Sequence, residues 1–187
     1  MSSWGASAAS DAKPKYLTVA EKRDVYATEK GWTAAAGGND NALADREVLV
    51  AIGDLGGATA TDKLDAANIS SVNIKTSSFS KADGGTVSVS INFNETVTVT
   101  GTPTVVMTNN TDGARNLTLS YASGSTTNRL TFSLVIAAAN AATNVADALT
   151  IGVNAMSLAG GTVTNTVGGG NALITNAAGT ETLTVAT

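Results

Sequence analysis

The sequence predicts a mainly β chain: a β-sandwich over residues 66–187, preceded by an N-terminal arm with one short helix over residues 1–65. Three observations predict it. Apolar and polar residues alternate with a period of two through much of the second part, the mark of half-buried strands. Turn-forming text separates those strands every 8–12 residues, the rhythm of a sandwich. Charge is unevenly spread, with 17 of the 26 charged side chains in residues 1–65 and 9 in the rest. The arm is therefore a solvated or partner-facing segment, and the body is charge-poor.

The arm opens with Trp4 and runs into "KPKYLTVAEKRDVYATEKGW", residues 13–32. Thr18 followed three residues later by Glu21 is a capping-box pattern, which predicts a helix from 18 to about 30 with Gly31 as its stop. Pro14 stands upstream, where it does no harm to that helix. Val19, Val25 and Tyr26 are its larger apolar residues, too few for the helix to be stable alone. The arm's aromatic residues Trp4, Tyr16, Tyr26 and Trp32 therefore need a surface, either another protein or the chain's own sandwich. "VLVAIGDL", residues 48–55, is a second apolar run that could add a strand to a sheet edge. "GDLGGATATDKLDAANIS" then marks the boundary, placed at about residue 66.

In the body, "GGTVSVSINF" sets Val87, Val89, Ile91 and Phe93 against Ser88, Ser90 and Asn92 on the other face. Further strand texts are "ISSVNIKT", "TVTVT", "TVVMT", "RNLTLSY", "RLTFSLVI", "ALTIGV", "GTVTNT" and "ETLTVAT". "KADGG", "NNTDG", "ASGSTTN" and "GGGN" are turns, with glycine supplying the positive φ that tight hairpins need. "AAANAATNVADAL", residues 137–149, reads as a loop with a helical turn. Outward threonine and serine give an uncharged surface that suits either close tiling beside identical copies or plain solvent exposure.

Composition removes several functions. Histidine and cysteine are absent, which excludes disulfides, imidazole or thiolate metal sites, thiol nucleophiles and histidine bases. A net charge of −4 offers no basic footprint for nucleic acid. No segment approaches the roughly 20 apolar residues of a membrane span. The start lacks the pattern of a secretory signal, so the expectation is a chain made and used without Sec export. Lys75 and Lys81 lie near serines without the spacing of a Ser–Lys nucleophile. Asp83, Glu95, Asp112, Asp147 and Glu181 are too scattered to suggest a glycosidase pair, and "NNTDG" has one acid where a calcium loop needs several. "GDLGG" and "VGGGN" lack the lysine of a phosphate loop. No catalytic, cofactor or metal site is expected.

Two resemblances have residues to rest on. The text from Thr86 to about residue 164, above all the run Glu95 to Thr104 and "YASGSTTNRLTF", resembles the immunoglobulin-like repeats of large bacterial surface adhesins. It departs from them after "GGTV", where "TNTVGGGN" replaces the usual acidic ending. That resemblance implies an Ig-like sandwich in a structural or adhesive setting. The opening 32 residues, with "KPKYL" and "VYAT" before "GW", resemble the N-termini of small virion structural proteins of tailed phages, particularly those of marine cyanobacteria.

Together they imply a capsid decoration protein on the outer capsid surface, assembled in the host cytoplasm. It would bind the major capsid protein and neighbouring copies of itself, with Trp4, Lys15, Tyr16, Tyr26 and Trp32 as arm anchors. A weak host-surface or glycan contact through the sandwich is a further expectation. The alternatives are a tail or neck protein of the same virion, or an adhesin-type module binding a cell surface or glycan.

Overall fold

The expected helix in the arm is replaced by β structure. The computed structural model of the chain describes residues 13–36, 46–53, 55–56, 64, 66–112 and 115–187. Thr18 and Glu21 do form the reciprocal bonds of a capping box: the Thr18 N–H and Oγ1 each donate to Glu21 Oε2 at 2.7 Å, and the Glu21 N–H donates back at 3.3 Å. They cap only a single 3-10 turn, Glu21–Arg23. Beyond Asp24 the residues are Val25, Tyr26 and Thr28, which favour a pleated chain. They form β1 (Val25–Thr28), which turns back through Glu29 and Lys30 into β2 (Gly31–Ala34).

Gly31 is a hairpin residue, not a helix stop. Its φ is +120°, and an added Cβ would lie 2.1 Å from the Val50 carbonyl oxygen. That carbonyl belongs to β3 (Glu47–Ala51), the outermost strand on this side, so "VLVA" does add to a sheet edge, that of β2.

The body is β throughout. Its strands are β4 (Ile69–Ile74), β5 (Phe79–Ser80), β6 (Gly85–Thr100), β7 (Thr104–Asn109), β8 (Leu117–Ser123), β9 (Thr127–Ile136), β10 (Ala148–Ser157), β11 (Thr162–Asn165) and β12 (Thr182–Ala186). The hydrogen-bonded order is β3-β2-β1-β6-β9-β8-β7-β10-β12-β5, with β4 and β11 also paired to β6. Most pairings are antiparallel; β1 with β6 and β12 with β5 are parallel. The loop at residues 137–147 holds no helix: Asn140 Oδ1 accepts from the Thr143 N–H, and Asp147 Oδ2 from the Asn144 N–H.

β6 organises the fold. Two strand texts, "GGTVSVSINF" and "TVTVT", run together in its 16 residues. Its first half lies between β4 and β9, and its second half pairs with β11. The register shift between Asn92 and Val97 bends the strand where the arm meets it, at Ala27 opposite Glu95.

Val87, Val89, Ile91 and Phe93 are fully buried, as their alternation predicts, and join Leu119, Leu130, Phe132, Met107, Leu149 and Ile151 in one main core. A second, smaller core of Leu17, Val25, Ala27, Trp32, Ala34, Leu55 and Leu64 belongs to the arm.

Candidate attachment surface

Of the residues expected to anchor the arm, the structure exposes two and buries two. Lys15 and Tyr16 occupy the centre of a turn closed by the Leu17 N–H donating to the Pro14 carbonyl at 3.4 Å. Pro14 and Leu17 are buried at its ends, Leu17 within the arm's own core. Holding both ends of a tight turn pushes its middle into solvent, and Tyr16 is 70% exposed. Val19, 76% exposed, follows on the same segment. Tyr26 and Trp32 are each only 2% exposed. Trp32 sits opposite Ala27 and packs in the arm core; Tyr26 sits opposite Thr33. In the free protein these two side chains fasten the hairpin rather than present it. Trp4 lies outside the described residues.

Two ion pairs join arm to body. Asp24 pairs with Arg129, whose Nε also donates to Asn92 Oδ1 at 2.8 Å. Arg23 stands 3.8 Å from Glu181, whose other oxygen accepts from the Ile74 N–H. Lys13 is folded under the turn and donates to the Lys22 carbonyl at 2.7 Å. Burial is the main cause that lowers its pKa to about 8, and the nearby Lys22 charge adds to this while Asp24 opposes it. The Glu21 carboxyl is held below its ordinary value, first by the Thr18 hydroxyl bond and then by the Thr18 backbone bond.

The acids of the body are not gathered into a site. Asp112 pairs with Arg115, and Asn109 Oδ1 accepts from the Thr111 and Asp112 N–H groups, so "NNTDG" is an Asx-type turn. Asp147 and Glu181 serve the backbone bonds already described. Glu95, almost fully buried, accepts from Asn165 Nδ2 at 2.9 Å beside a cavity of about 430 Å³ that Tyr26, Thr33 and Arg46 also line. Among the described residues, no group of three or more Asp or Glu side chains is placed to hold a metal ion.

The motif text of the body is structural. Tyr121 Oη accepts from the Ser125 N–H at 2.7 Å, Ser125 Oγ accepts from the Val99 N–H, and the Tyr121 ring meets Phe132 edge-on with centroids 6.0 Å apart. "YASGS" thus closes the β8–β9 hairpin and ties it to β6.

Sequence reasoning placed Lys15 and Tyr16 at the surface and missed Asn73, a buried strand residue beside the arm. The polar position in "SVNI" was the available signal. No protein-family model, curated protein or solved structure matches this chain.

Proposed function

We propose that the chain is a virion structural protein of a tailed phage, a capsid decoration protein that attaches to the major capsid protein through its N-terminal arm. The body is then an Ig-like sandwich displayed on the outer capsid surface, its two layers closing over the single main core. One observation carries the reading: the arm holds an exposed corner, Lys15–Tyr16 with Val19 beyond it, on a buried base of Leu17 and Trp32. A large aromatic side chain held in solvent on a rigid turn costs little entropy to bury against a partner.

The low-charge threonine faces support the tiling of neighbouring copies. Thr98 pairs with Thr166 and Thr100 with Thr162 through their hydroxyls, so the β6–β11 face presents satisfied, uncharged groups with little desolvation to overcome. Quantitative mass spectrometry of purified particles tests the assignment. Hundreds of copies per particle fit capsid decoration, tens fit a tail or neck protein, and none refutes a virion role.

A further inference from the structure

A groove of about 440 Å³ lies between the arm and β4. Lys13, Lys22 and Arg23 stand along one side, while residues 69–73 of β4 and the segment 176–180 form the other; no carboxylate is among its lining residues. Three features of it point to one kind of ligand.

The first is an open strand edge. Among the described residues, β4 is laddered to β6 alone. The Lys75 N–H donates to the Ser88 carbonyl at 2.8 Å, which fixes the alternation of the ladder. Ser71 and Asn73 therefore exchange bonds with β6, while Val72 and Ile74 turn their N–H and C=O groups outward. Glu181 takes the Ile74 N–H. The outward peptide groups of Val72 are left at the groove.

The second is the Asn73 side chain, 7% exposed, whose amide nitrogen and oxygen are both buried without a hydrogen-bond partner. A side-chain amide offers one donor edge and one acceptor, the complement of a peptide group. The third is charge: the cations have only Glu181 close to Arg23 to offset them, so the groove favours an anion.

We propose that this groove binds an extended acidic peptide segment of a partner protein, which adds as a strand along the outer edge of β4 with its carboxylate beside Lys22 and Arg23. Strand addition supplies main-chain bonds to Val72, and the cations select the acid. The inference rests on the attachment reading above only for the source of the peptide, a neighbouring virion protein.

The test is fluorescence anisotropy of the full chain with a fluorescein-labelled synthetic peptide, Thr-Val-Glu-Val-Asp-Val-Thr. Two controls accompany it: the same peptide with Gln and Asn for its acids, and a version N-methylated at alternate amides. The site predicts saturable binding of the acidic peptide. It also predicts at least tenfold weaker binding of both controls, and at least tenfold weaker binding by Lys22→Gln/Arg23→Gln. Lys22→Gln alone, which leaves the Arg23–Glu181 pair intact, should give a several-fold loss at an unchanged melting temperature.

Absent binding, equal binding of the neutral peptide, or equal binding by a folded double variant overturns the site. So does equal binding of the N-methylated peptide or of an oligoglucuronate, either of which would mean simple carboxylate capture. Peptide binding lost while the protein still binds particles refutes the groove and leaves the attachment reading standing. Peptide binding without particle binding refutes the attachment reading alone.

Discussion

Replacing Trp32 by alanine separates the arm's own core from any partner it meets. Trp32 is 2% exposed and lies among Leu17, Val25, Ala27, Ala34, Leu55 and Leu64. A tryptophan side chain buries about 200 Å², which at about 25 cal/mol per Å² is worth about 5 kcal/mol. Measured large-to-small substitutions in cores cost about 3–5 kcal/mol, depending on how far the site collapses. The arm core is small, and Trp32 is its largest side chain, so a loss of this size exceeds what the remaining residues can hold.

Trp32→Ala should therefore open the β1–β2 hairpin while β6 and β9 stay paired around the main core. Hydrogen exchange read by mass spectrometry follows this directly. Amides of residues 25–34 should lose protection, and those of residues 87–93 and 130–134 should keep it. If residues 25–34 stay protected and the melting temperature is unchanged, Trp32 is not holding the arm and the account of the second core fails.

Other expectations follow from the same contacts. Gly31→Ala should destabilise the hairpin by about 2 kcal/mol or more, since φ is +120° and the Val50 carbonyl stands where the Cβ would go; thermal melting measures it. A double-mutant cycle of Asp24→Asn with Arg129→Gln should give a coupling of about 0.5–1 kcal/mol, because both side chains are part-exposed; a coupling near zero removes the pair as a fastener. Lys13 makes stability rise with pH. Its folded pKa, about 8, lies below the ordinary value of 10.5, so between those values the unfolded chain holds more of the proton. Wild type should gain on the order of 2–3 kcal/mol relative to Lys13→Gln between pH 7.5 and 10.5, read from urea midpoints, and parallel curves would show that Lys13 is not desolvated.

The body was legible because its strands report one buried face each: Val105 and Met107, Leu117 and Leu119, Leu183 and Val185 alternate in the text and are all buried. The arm was misread because a capping box is a local signal and cannot say how long a helix runs. The bonds between Thr18 and Glu21 are real, yet Val25, Tyr26 and Thr28 gain more by pairing with Gly31–Ala34 and β6 than by continuing the turn.

"TEKG" then serves as a hairpin turn, and the same glycine fits either reading. The join of β6 across two strand texts was hidden for a similar reason, since a bulge preserves strand composition while shifting register. At the site, the exposed Lys15 and Tyr16 were legible from type and position. The partition of the aromatics was not, because burial of Trp32 depends on Leu55 and Leu64, which the chain brings back from beyond β3. Nor could the sequence reveal that Arg129 would meet Asp24 across 105 positions.

The central claim is that the exposed corner attaches the protein to a capsid, and co-sedimentation of purified protein with undecorated capsids tests it most directly. Wild type should bind, and Tyr16→Ala should weaken binding by about 1–3 kcal/mol, roughly 5- to 150-fold, at an unchanged melting temperature. Lys15→Gln should matter less, with a salt-dependent effect of about 0–1 kcal/mol. Wild-type protein that stays in the supernatant, or a Tyr16→Ala variant that binds as tightly as wild type, would contradict the account.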